Sequence, residues 1–228
     1  MIINNNNNNN YYIKMFNINH VIPIVLSFNF ILTELLKYKN EKMSKNITGL
    51  IYTVIFIIHH SYADDLQYEV HISIGYYIFD LYYMVKVILQ DKTKLSVNIN
   101  YIIHHIISLY ILYKSFDSKY FELILNGYYI FQNSNIVLYT SYYIHKEYPN
   151  DIKIKGINDF FQFIWYSYYR IIKMLYYLYY YRDEFFNIGW SLNTTIFIIY
   201  MMGVLWSYKL LIQNINNYNN YIKYYNNK

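Results

Sequence analysis

The chain has no cysteine. That single absence excludes disulfides, thiolate metal sites, cysteine nucleophiles and S-palmitoylation. Charge is also scarce, at 14% of 228 residues, and there are only two prolines. No internal repeat is visible. Nothing at the N-terminus pairs a charged n-region with an apolar core, so no signal peptide is read there. The formal net charge of +5 admits an anionic partner. However, the lysines are scattered through separate stretches rather than gathered in a stripe, which argues against nucleic acid.

Hydrophobic residues make up 56% of the chain, yet mean hydropathy is only +0.06. Tyrosine and asparagine explain the gap. There are 34 Tyr, and hydropathy scales penalise both residue types. An Asn/Ile/Tyr/Lys bias of the kind an AT-rich coding sequence produces replaces Leu, Val and Phe without altering the physical plan. Charge-free windows are therefore the better guide. Residues 1–14 open with the run Asn4 to Asn10, which has no apolar surface to bury and reads as a disordered tail.

Seven segments of helical length follow: 15–36, 47–62, 70–89, 97–113, 120–144, 160–181 and 191–213. A membrane-spanning helix needs ~20 mainly apolar residues. The pattern predicts an all-α integral membrane protein of about seven spans, with 47–62 the shortest. Pro23 falls inside the first span, and a bundle tolerates it there. A polar tail, 215–228, ends the chain.

Loop charges support this count. With seven spans, Lys14, Lys114, Lys119 and Arg182 fall on one side and thirteen basic residues on the other. The positive-inside rule places the second side, with the C-terminus, in the cytosol. The acidic stretch Asp64, Asp65, Glu69 falls on the opposite side. A six-span arrangement, with the first segment not crossing, is the alternative. Two sequons begin at Asn46 and Asn193. The first lies on the cytosolic side and the second starts a span, so neither is expected to carry glycan.

Polar groups recur near the middle of these segments. Asp80 is central in the third, and His104-His105 lie slightly toward the cytosolic end of the fourth. The fifth carries Asn126, Gln132, Asn133, Ser134 and Asn135, and the sixth Arg170 with Lys173. An Asp at mid-membrane costs about 2.5–3.5 kcal/mol on insertion scales, so such residues face an interior and are functional candidates. Together they suggest one intramembrane polar site. Adjacent residues on a helix point about 100° apart, so the two His cannot both face one point. One is expected to face the cavity and the other to bond a neighbouring helix; interhelical packing of both is the competing reading. Arg170 is read as an ion-pair partner of Asp80 or as a site for a lipid or acyl-CoA phosphate. Metal ligation is disfavoured, because helical metal pairs sit at i, i+3 or i, i+4. His59-His60, His71 and His145 at segment ends supply no second such box, and His59-His60 reads as an interfacial pair.

The run Gly75-Tyr-Tyr-Ile-Phe-Asp80, then a charged loop, then Ile-Ile-His104-His105-Ile-Ile-Ser-Leu resembles the TLC-domain family. Tyr169-Arg170 in the next-to-last span and the close Gly203-Val-Leu-Trp206-Ser-Tyr-Lys209 are similar to that family as well. The resemblance covers 43–214, leaving 15–36 as an added N-terminal span on a six-helix core. It implies a multi-pass protein of the endoplasmic reticulum or a derived membrane, acting in lipid homeostasis by binding, sensing or transporting lipids. The family's ceramide synthases N-acylate a sphingoid base from acyl-CoA. On that branch His104 and His105 inherit the acyl-transfer role, acyl-CoA is a co-substrate, and no resident cofactor is implied. Here, though, amides at Gln132, Asn133 and Asn135 stand where the synthases carry carboxylates. The sequence therefore leans toward a non-catalytic lipid protein, with the acyltransferase and a translocon-associated factor of the TRAM branch as alternatives.

Overall fold

The computed structural model describes residues 6–36, 41–63, 66–115 and 118–226, and among them there is helix and short connection but no strand. The long elements are α1 (Asn6–Leu35), α2 (Glu41–Tyr62), α3 (Gln67–Gln90), α4 (Leu95–Ser115) and α5 (Phe121–Glu147). Helix α6 (Ile152–Ser167) runs through a π-helical turn (Tyr168–Lys173) into α7 (Met174–Tyr180), so these three form one rod. A short α8 (Arg182–Asn187) precedes α9 (Trp190–Asn226). Each of the seven expected segments overlaps one rod.

The rods are longer than the apolar windows. Helix α1 already begins at Asn6, inside the stretch expected to be a disordered tail; residues 1–5 of that tail lie outside the described residues. Asn costs at most about 0.7 kcal/mol against Ala per helical position, a small penalty for extending a helix nucleated further on. Helix α6 starts well before the expected position 160, because Asp151 caps it by accepting from Ile154 N at 2.9 Å. Helix α9 continues to Asn226, through the segment read as a polar tail. Within that segment Asn217 donates to the Asp159 carboxylate, and just before it Gln213 donates to the same carboxylate and Asn214 to the Asp159 carbonyl. Gly189, at φ 110°, makes the turn into α9 in a conformation other residues rarely adopt.

Packing closes a ring. Helix α2 lies against α3, α3 against α4, α4 against α9, α9 against α6, α6 against α5, and α5 back against α2. Helix α1 sits outside it, on α3 and α2. Two clusters fill the ring. One joins Tyr52 and Phe56 of α2 to Tyr76 and Phe79 of α3 and Tyr128 of α5; Tyr52 stacks on Tyr76 with ring centroids 3.9 Å apart. The other joins Ile111 of α4, Phe131 of α5, Met174 of α7 and Ile196 of α9. Outward faces are apolar too, exposing Ile58, Val85, Ile106, Phe160, Ile172 and Phe197. Two rods, Gln67–Gln90 and Trp190–Asn219 within α9, are long and apolar enough to cross a membrane.

Gly49 permits the tightest of these contacts. Tyr76 and Tyr139 hydrogen-bond through their hydroxyls at 2.8 Å. A Cβ on Gly49 would stand 2.6 Å from the Tyr76 hydroxyl and 2.7 Å from the Tyr139 ring. Gly49→Ala is expected to cost about 1–3 kcal/mol through overpacking. Thermal unfolding in detergent checks this; an unchanged melting temperature would mean the two rings retreat freely.

Candidate functional site inside the helical ring

Asp80 sits on the inner face of α3, 4% exposed. His105 Nε2 of α4 lies 2.7 Å from its Oδ2, and Lys45 Nζ of α2 lies 2.5 Å from its Oδ1 as an ion pair rather than a well-directed hydrogen bond. One carboxylate thus ties three helices. Lys86 and Glu41 pair six residues along α3, so Asp80 lies about 9 Å inside that charged layer at 1.5 Å per residue. The other ring nitrogen of His105, Nδ1, donates to the Tyr101 carbonyl at 2.8 Å. Both ring nitrogens of His105 are therefore engaged, one by a carbonyl and one by a carboxylate.

Arg170 does not pair with Asp80. That expectation is corrected by the rods themselves: Lys45 reaches Asp80 from the neighbouring α2, while Arg170 points at α5. It is 2% exposed. Its Nε donates to Ser134 Oγ at 2.6 Å and its Nη2 to Asn135 Oδ1 at 2.9 Å. The guanidinium also lies 4.5 Å from the Phe131 ring centre and 5.4 Å from that of Tyr166. Among the described residues no carboxylate pairs with it, and Nη1 has no partner. Arg170 belongs to the π-helical turn, a local widening that often marks functional positions. Gly203 of α9 makes room for its stem, since a Cβ there would stand 3.3 Å from Arg170 Cδ.

His104 and Arg170 line one narrow cavity between α3, α4, α5, the π-helical turn, α7, α8 and α9. Its volume of about 40 Å³ compares with roughly 10–15 Å³ needed for one water on the same measure. Tyr77, His104, Ser108, Gln132, Asn135 and Arg170 gather at one end. Ile111, Ile124, Phe185 and Ile196 form the other. From Asn135 to Ile124 along α5 is about 16 Å. The shape is a slot with a polar head and an apolar body. His104 is 8% exposed, its Nδ1 has no partner, and its ring meets Trp206 edge-on at 5.3 Å. The adjacent histidines therefore divide the work, one facing the cavity and the other bonding a neighbouring helix.

Gln132 connects the slot to the first cluster. It accepts from Asn135 Nδ2 at 3.0 Å and donates to Tyr52 at 3.3 Å, which donates to Ser73 at 2.9 Å. Asn133 is turned away: its amide donates to the Tyr129 carbonyl, and its own carbonyl accepts from Trp165. Asn126 lies in a separate cluster, 3.0 Å from His60 Nε2. Lys173 covers the Tyr169 ring at 4.9 Å.

Three groups escaped sequence reasoning. Lys45 looked like one loop lysine among several. Glu69 looked like part of an exposed acidic loop whose other members, Asp64 and Asp65, lie outside the described residues; instead it is fully buried in the first turn of α3, with His59 Nδ1 at 3.1 Å and His60 Nδ1 at 2.8 Å. Two adjacent histidines on α2, one loop away from a Glu, were the available signal. Asp159 is 1% exposed and 2.5 Å from His145 Nε2, locking α5, α6 and α9 together. It fell just outside the expected 160–181 window.

The described residues define a class by fold and site: a helical ring with an interior slot lined by a guanidinium that no described carboxylate pairs. No protein-family model matches the chain, and no curated protein or solved structure does either.

Proposed function

We propose that this is a multi-pass membrane protein of TLC-domain type that binds a membrane lipid in the slot and acts in lipid homeostasis without catalysis. The slot carries the reading: a polar head group beside Arg170 and His104 and a thin apolar body match an amphiphile. The apolar outward faces of the ring support placement in a bilayer, with six rods as the core and α1 as an added span. The charge asymmetry supports a cytosolic C-terminus and seven spans. Residence in the endoplasmic reticulum or a derived membrane rests on the resemblance alone.

The absence of cysteine makes the topology test direct. Lys42→Cys is expected to react with a membrane-impermeant maleimide from the cytosolic side, and Lys119→Cys only after permeabilisation. Labelling of both from one side would sink the seven-span arrangement. For the function, purified protein is expected to carry lipid detectable by mass spectrometry. Its membranes are expected to form no ceramide from acyl-CoA and a sphingoid base.

The acyltransferase alternative keeps one specific support, the unpartnered Nδ1 of His104, a residue that lines the slot. Ceramide synthesis abolished by His104→Ala would establish that alternative. Co-purification with translocon components, without bound lipid, would favour the TRAM-like one.

A further inference from the structure

Arg170 and His104 present a second question: what completes them. Arg170 is buried with amide and hydroxyl partners only, and a guanidinium out of water calls for an anion. Its free Nη1 and the free Nδ1 of His104 both belong to buried residues lining the same cavity. Asp80, the acidic side chain of the polar layer, is held by Lys45 and His105. Among the described residues none supplies the counter-charge, which leaves that place to a ligand.

The slot restricts what that ligand is. Each residue keeps one buried nitrogen without a partner, and a carboxylate brought to this end of the slot has two oxygens to offer them: Arg170 would donate one hydrogen bond, and His104 the other in the tautomer that carries its proton on Nδ1. Behind the head the walls turn apolar and converge on Phe185 and Ile196. The cavity is narrow, about 40 Å³ on the measure by which one water needs roughly 10–15 Å³, so its walls must part to admit one chain and would have to part far more for two.

We propose that the slot takes a single-chain lipid anion, a long-chain carboxylate, head-first onto Arg170 and His104, with its chain directed toward Phe185. This rests on the lipid-binding reading above and narrows it to one chemical class.

The test uses the full chain in nanodiscs of neutral phospholipid, with tritiated palmitate as probe and hexadecanol, lysophosphatidate and dipalmitoyl phosphatidate as competitors. Wild type is expected to bind palmitate saturably and at least about tenfold tighter than hexadecanol, the scale of one charge-assisted hydrogen bond. Arg170→Met is expected to bring palmitate and hexadecanol level. Ile124→Trp, which fills the apolar body, is expected to weaken both together.

Equal binding of palmitate and hexadecanol by wild type overturns the anion site while leaving a lipid protein; that comparison needs no variant. Phosphatidate competing as well as palmitate overturns the single-chain assignment, and tighter lysophosphatidate overturns the carboxylate. If no probe binds and no lipid co-purifies, the lipid-binding reading falls as well.

Discussion

Asp80→Asn is expected to destabilise the protein by about 3 kcal/mol, the low end of the range for leaving a buried charge without its partner. The substitution keeps the side-chain shape and removes only the charge. Lys45 and His105 then face a neutral amide where a carboxylate held them at 2.5 and 2.7 Å. The low end applies because the Lys45 side chain is 22% exposed, and water screens part of its charge. Adding Lys45→Met should recover part of the loss, since it removes one stranded cation. Denaturant or thermal unfolding of the four proteins forms a double-mutant cycle. A strictly additive double variant would show that the pair contributes no coupling between α2 and α3.

That experiment concerns a pairing the sequence misassigned, and the reason is physical. Asp80 and Arg170 were both legible as costly groups inside apolar segments, because one-dimensional depth is readable from helix ends. Azimuth is not. Which face Asp80 turns, and which neighbour stands opposite it, depends on the order of rods in the ring. In that order α2 and α4 flank α3, so Lys45 and His105 reach Asp80, while Arg170 stands across from α5. A different limit hid Glu69 and Asp159. Each sits where a helix begins before its apolar window does, Glu69 in the first turn of α3 and Asp159 seven residues into α6, because the starts of helices accept polar residues that periodicity counts as loop. The helical class was legible, since each of the seven segments read from the sequence overlaps a rod, although only two rods, Gln67–Gln90 and Trp190–Asn219, are long and apolar enough to cross a membrane. The division between His104 and His105 was legible as well, because it follows from the 100° step of any α-helix. The π-helical turn that presents Arg170 left no mark in the sequence.

Arg170→Met should raise the stability of the lipid-free protein, by about 1–3 kcal/mol. Replacing buried charge with an apolar side chain of similar volume often stabilises, because desolvation outweighs the interactions made inside. Arg170 has two neutral hydrogen bonds and two aromatic neighbours to set against that cost, and no carboxylate among the described residues. Met fills the same channel beside Gly203 and asks for no counter-ion. The order of stabilities should then invert with ligand. Palmitate at 100 times its dissociation constant would add about 2.7 kcal/mol to wild type and far less to the variant. Melting curves of both proteins, with and without palmitate, should therefore cross. A variant less stable than wild type even without ligand would mean that Phe131, Tyr166, Ser134 and Asn135 already compensate the guanidinium. The argument that this arginine awaits an anion would then lose its energetic basis. A crossing would tie the least comfortable side chain in the ring to the ligand it is kept for: a functional charge stored at the expense of stability, beside the slot where two buried nitrogens have no partner.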